Sequence, residues 1–257
     1  MSRAPRIHTA LYSLVLAVAC GAGIGCGRIP GKPGPGPEVV RPEEVVDFPA
    51  LYKQNCAACH GDNGRNGAAI SLSNPVYLAL AGENRLRGLI ANGVPGKLMP
   101  AFAMSAGGML TDGQVTALAQ GMVNQWGNPK LLEGQSPPSY LETSLGNAGQ
   151  GLQAYQVFCA RCHGANGEGG PADGMENSSN GKLGSIVDPS YLALISNQNL
   201  RSILIAGRPD EAMPDWRNDA TRQMSAKAMT EQQITDIVAW LASKRIANPG
   251  QPYLNRP

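Results

Sequence analysis

The stretch Cys56-Ala57-Ala58-Cys59-His60 returns further on as Cys159-Ala160-Arg161-Cys162-His163. In C-x-x-C-H the two thiols add to the vinyl groups of a haem and the adjoining imidazole becomes the proximal iron ligand, so five residues both tether and ligate the cofactor. A chain of this composition contains such a motif by chance only about 0.002 times, and two copies imply two covalent haems. Two C-x-x-C pairs also have the makings of an all-thiolate zinc site. Such sites draw their pairs from one compact knuckle, whereas here 99 residues separate the pairs and each runs straight into His.

At 257 residues the chain has room for two small domains, each burying a core around a cofactor. Few aromatic residues, 32 Gly and 20 Pro suit a loop-rich fold in which a haem supplies much of the apolar interior. The formal charge is +2, and removal of Arg3 and Arg6 with an export signal would balance it. Haem propionates would then make the holoprotein acidic. No basic patch points to nucleic acid. Four of the six cysteines sit in the motifs and the other two, Cys20 and Cys26, lie near the N-terminus, which leaves no disulfide framework to propose.

Residues 1–25 read as a signal peptide: Arg3 and Arg6, an apolar run from Ala10 to Ala19, then small residues. The run is too short to span a bilayer. Its end resembles a bacterial lipoprotein signal, with Cys26 (or Cys20) as the lipidated residue. Cleavage before Cys26 leaves no free thiol in an oxidising compartment, which favours Cys26, while Ala17-x-Ala19 also fits an ordinary cleavage site. Residues 26–46 carry enough Pro and Gly to exclude helix and central strand, and are expected to form an extended tether.

Residues 47–127 and 147–247 are expected to be two haem domains, joined by a linker over 128–146 and followed by a tail over 248–257. An internal repeat carries this division. Asn74-Pro75-x-Tyr77-Leu78-Ala79-Leu80 matches Asp188-Pro189-x-Tyr191-Leu192-Ala193-Leu194. Leu86-Arg87 matches Leu200-Arg201, Gly93-x-Pro95 matches Gly207-x-Pro209, and Met99-Pro100-x-Phe102 matches Met213-Pro214-x-Trp216, all at an offset of 114. The haem motifs are 103 apart, so the second copy holds 11 extra residues, placed in the Gly/Ser/Asn-rich stretch from Gly174 to Val187.

Each copy closes with a helix opened by a capping box, Thr111-x-x-Gln114 and Thr230-x-x-Gln233. Asn74-Pro75 and Asp188-Pro189 are helix starts, and Gly93 and Gly207 are helix stops. The expected fold class is all-α, with two tandem domains.

A six-coordinate haem needs a second protein ligand, from His or Met. His8 falls in the signal and His60 and His163 are already used, so Met is the default donor. The repeat nominates Met99 and Met213, each stiffened by a following Pro. Met104, Met109, Met175, Met224 and Met229 lie near enough to compete, and a Met is ordinarily core filler. The matched Arg87 and Arg201 suit a haem propionate, against the alternative of a solvated helix face. A backbone carbonyl near Ala68 and Pro171 is expected to hold the other ring N–H of each proximal His.

With its C-x-x-C-H-Gly motifs, Met-Pro loops and closing Thr-x-x-Gln helices, the chain resembles a dihaem class I cytochrome c, two fused cytochrome c domains. The resemblance departs from the family pattern at Ala68, where a Pro often stands, and in the 11-residue insertion. It implies two haem c groups and electron transfer between a redox protein donor and acceptor, in a bacterial respiratory or photosynthetic chain. It also implies a membrane electron-transport complex as partner and a location on the periplasmic side of the membrane. An iron closed on both faces does not bind substrate without losing a ligand, which favours a carrier or complex subunit over an enzyme. The alternative is a dihaem peroxidase or small-molecule oxidoreductase with a displaceable Met.

Overall fold

The computed structural model describes residues 36, 40–142, 144–171, 182–217 and 227–246. The signal segment with Cys20 and Cys26, most of the tether, Met175, Met224 and the tail lie outside the described residues. The described residues from Glu43 onward belong to one compact unit. Among the described residues no helix is long and apolar enough to cross a membrane.

Helix α1 (Phe48–Asn55) starts where the Asp47 carboxylate accepts from Ala50 N at 2.9 Å, with Pro49 in the first turn. The short α2 (Ala57–His60) carries the first haem motif. Helix α3 (Pro75–Asn92) is capped by Asn74 and broken at Gly82, whose φ of 69° interrupts the helical path. Its end is set by Gly93 at φ 66°. Helix α4 (Asp112–Trp126) opens with the complete Thr111/Gln114 capping box.

The second half repeats this order. Helix α5 (Ala148–Phe158) is capped by Asn147, and α6 (Ala160–His163) carries the second motif. A two-residue ladder, β1 (Gly170–Pro171) with β2 (Lys182–Leu183), brackets the insertion. Helices α7 (Pro189–Leu194) and α8 (Asn197–Ala206) correspond to the two parts of α3, with Ser196 capping α8 at the position matching Gly82. Helix α9 (Glu231–Ala242) closes the fold on the Thr230/Gln233 capping box.

The last helix of each half organises its core: α4 packs on α3 and is crossed by α1, and α9 packs chiefly on α5. Leu118, Ala119, Ile234 and Ile237 are wholly buried there. Each large one contributes about 1.5–3 kcal/mol by leaving water. Close approach depends on one small residue per crossing. A Cβ on Gly121 would stand 2.2 Å from the Phe48 ring, and one on Gly151 would stand 2.0 Å from Asp236 O. Aromatic rings lock both crossings: Trp126 meets Phe48 and Tyr52 edge-on at 5.2 and 5.0 Å, and Trp240 lies 4.4 Å from Tyr155.

Because Gly151 abuts backbone rather than a movable side chain, Gly151→Ala should lower stability by about 1–3 kcal/mol. Thermal melts of the variant and wild type measure this.

Candidate haem-binding sites

Cys, Cys and His of each motif stand at i, i+3 and i+4, which share one face of a helical turn. The backbone makes that turn: His60 N donates to Cys56 O at 3.0 Å, and His163 N to Cys159 O at 3.0 Å. Two thiols and an imidazole are thereby aimed at one ligand. A glycine at positive φ, Gly61 at 77° and Gly164 at 83°, ends each turn and lets the chain fold back past the imidazole.

Sequence reading missed a matched pair of tyrosines that fixes these glycines. Tyr52 donates its hydroxyl to Gly61 O at 2.9 Å and Tyr155 to Gly164 O at 2.5 Å, so the first helix of each half holds the residue next to the ligand. The signal was present: both tyrosines precede the first Cys by four, at the same 103-residue offset as the motifs. Burial pushes both phenols far above their ordinary range, so they remain donors at any working pH.

His60 has the ring support expected of a metal ligand, though not from the expected residue. Its Nδ1 lies 2.8 Å from Ile70 O, two residues beyond Ala68. The reason is local: Ala69 N donates to Cys59 O, which turns the carbonyl of Ile70 toward the ring. In the second half Pro171 is drawn into the ladder with Lys182, and His163 Nδ1 is buried with no hydrogen-bond partner.

Burial lowers the proton affinity of both imidazoles, leaving each neutral with a lone pair free for a metal. Burial, reinforced by the second thiol of each motif, pushes Cys56 and Cys159 up to about 12. Among the described residues no three His, Cys, Asp or Glu side chains converge as a metal cage, so the two Cys pairs do not meet in a zinc knuckle.

The second half brings its predicted ligands together. Cys159, Cys162, His163 and Met213 line one cavity of about 320 Å³, closed by aliphatic side chains such as Leu200, Leu204, Ile237 and Leu241. An apolar slot with thiols and an imidazole on one wall and a thioether on another fits a covalent haem held from both faces. Met213 is pinned by backbone bonds to Arg208, N to O at 3.0 Å and O to N at 2.9 Å. In the first half Val94 N donates to Met99 O at 3.0 Å, which puts Met99 on the same loop at the matched position. Met229 also lines the cavity. Its counterpart immediately before the capping Thr is Leu110, which has no donor atom.

Arg201, nominated by the repeat, does not line the second haem slot. Arg201 is 1% exposed and is bound inside the protein: Nε and Nη2 donate to Ser139 O, Nη1 to Thr235 Oγ1, and Nη2 pairs with Glu231. It staples the inter-domain segment to α8 and α9, so every nitrogen is taken before a propionate arrives. Arg87 is exposed on a shallow groove with Asn84, Gly88 and Asp112, lined by none of the haem-motif residues. The guanidinium that does line the second cavity is Arg208. One of its nitrogens pairs with Glu211 at 2.5 Å, while its Nε is buried without a partner.

This arrangement defines a pair of c-type haem domains. Residues 148–244 match the cytochrome c family, and residues 44–120 match cytochrome c oxidase, cbb3-type, subunit III. The chain is a dihaem class I cytochrome c, all-α, with two covalently bound haem c groups. Among solved structures, a chain of the Kuenenia stuttgartiensis reducing HAO-like protein complex aligns over 81% of this chain and 100% of its own, at 18% identity and a TM-score of 0.43. No curated protein matches the chain.

Two substitutions separate the roles assigned here. Arg201→Met should lower the melting temperature, through loss of a buried hydrogen-bond hub worth about 1–3 kcal/mol, while leaving the haem spectrum unchanged. Tyr155→Phe should cost about 1 kcal/mol and loosen the proximal side, seen as a shift in the potential of one haem by spectroelectrochemistry.

Proposed function

We propose that this cytochrome conducts electrons between a donor and an acceptor protein on the outer face of a bacterial membrane, as a lipid-anchored carrier or complex subunit. His60 with Met99 and His163 with Met213 would hold the two haem irons, and Cys56, Cys59, Cys159 and Cys162 would tether the haems. The observation that carries the reading is the convergence of imidazole and thioether on one largely apolar cavity in the second half. Each haem supplies a one-electron iron couple, whose potential rises with Met ligation.

The protein's own groups do the rest. The Cys-x-x-Cys-His turn sets the ring plane, the hydroxyls of Tyr52 and Tyr155 hold the glycine beside each imidazole, and Ile70 O orients His60. Aliphatic side chains such as Leu200, Leu204, Ile237 and Leu241 form much of the wall of the second site. Arg208, with Nε buried and unpaired, is the cation suited to a propionate there. With both iron faces closed, neither site has room for peroxide or gas without giving up a ligand. That favours conduction over catalysis. The likeness of the first half to an oxidase subunit supports a membrane redox complex as one partner, and an anchor at Cys26 would raise the effective concentration of the carrier beside it.

A carbon monoxide titration of the reduced holoprotein tests the closed sites. The expected result is no fast binding at either haem, and stoichiometric fast binding would turn the reading toward an enzyme or gas sensor. Met213→Ala should remove one of two Met-to-iron near-infrared bands, whereas Met229→Leu should leave both. Cys26→Ser should move the protein from the membrane to the soluble fraction.

A further inference from the structure

The internal repeat makes one difference between the halves visible. Asn74 and Asp188 occupy the same position and do the same local job. Asn74 Oδ1 accepts from Val76 N at 2.9 Å and Tyr77 N at 3.2 Å, and Asp188 Oδ1 accepts from Tyr191 N at 2.8 Å. A carboxylate is sufficient for that cap, and only an amide also donates. Asn74 uses the extra capacity across the molecule. Its Nδ2 donates to Ala206 O at 2.9 Å and to Gly207 O at 3.1 Å, 132 and 133 residues away. The residue is 3% exposed, and its two donors and two acceptor sites are all engaged.

Both ends of this contact lie beside iron ligands. Ile70, whose carbonyl holds the His60 ring, begins the segment that runs to Asn74, and Ser73 N closes that segment onto Gly64 O at 3.0 Å. On the other side Gly207 is followed at once by Arg208, whose backbone is paired with Met213. The surrounding surface agrees that this is a built junction. Tyr77 is 5% exposed, while its repeat mate Tyr191 is 42% exposed. Tyr140 of the inter-domain segment lies against Tyr77, with the Arg85 guanidinium 4.5 Å from its ring centre. Its carbonyl accepts from Gln198 of the second half at 2.7 Å.

We infer that Asn74 is a positioning residue, a latch that ties the proximal side of the first haem site to the Met213 side of the second and fixes the spacing between them. Its use to the protein rests on the conduction proposed above: one electron leaves one site and enters the other, with no bond made and no proton moved, at a rate set by that spacing. Its geometry does not depend on that reading.

Two variants keep the helix cap and remove the amide donors: Asn74→Asp, which also sets a carboxylate against two carbonyls, and the neutral Asn74→Ser, whose single hydroxyl on a shorter stem replaces two N–H donors. Asp188→Asn serves as the matched control in the other half. The measurement is the iron-to-iron distance distribution of the fully oxidised holoprotein, by pulsed electron paramagnetic resonance. In both variants the long-distance population should rise about tenfold, the cost of two buried carbonyls losing their donor. The amplitude of fast internal electron transfer after photoreduction should fall, and the Asp188→Asn control should match wild type. Distributions that superimpose for wild type and both Asn74 variants overturn the latch and leave conduction intact. A wild-type protein whose two sites never exchange an electron overturns the conduction reading, and the distance measurement still judges the latch.

Discussion

Each half of this protein depends on a single helical turn that presents two thiols and an imidazole from the same side. Covalent tethering demands that the three side chains reach one rigid planar partner together, and a turn with i, i+3, i+4 spacing is the shortest backbone that does so. Everything adjacent holds that turn still. A left-handed glycine ends it, a tyrosine hydroxyl from the preceding helix grips that glycine, and in the first half a carbonyl steadies the imidazole. The crossing of first and last helices, possible only because Gly121 and Gly151 admit close approach, gives those tyrosines a fixed base. Iron chemistry is thus secured by ordinary packing several residues away.

Much of this was legible in the residues because each device leaves a local mark. Capping boxes at Thr111 and Thr230, N-caps at Asn74 and Asp188, and stops at Gly93 and Gly207 all formed where the sequence puts them. Met213 was found because a loop that must offer sulfur recurs with its Pro at a constant offset. Long-range partnerships were hidden. Arg87 and Arg201 share a repeat position, but a repeat reports equal backbone placement, not equal surroundings. One is solvated, and the other is bound beneath the inter-domain segment through Ser139 O. Arg208 stands opposite Val94, so a search for matched residues passes over it.

The two sites are consequently not equivalent. His60 leans on a carbonyl and His163 does not, and the Arg208 guanidinium, with its Nε buried, lines the second cavity where the first half has Val94 at the matching position. Hydrogen bonding to the ring and nearby charge are two of the levers by which a protein tunes a haem. Duplication provided two similar frames, and the residues that differ between them set two distinct environments.

The junction through Asn74 is heterologous: the start of a capped helix in one half meets the end of a helix in the other. Contacts of that kind do not close on themselves, and a chain of repeats joined this way would grow into a filament. The matching face of the second half, with Tyr191 and Leu194 exposed, is the end that would continue the series. There Asp188 stands in place of Asn74, and its carboxylate has no proton to give to the carbonyls of Asn92 and Gly93 on another molecule. The second half therefore ends in a face without the amide donors that the junction between the halves uses.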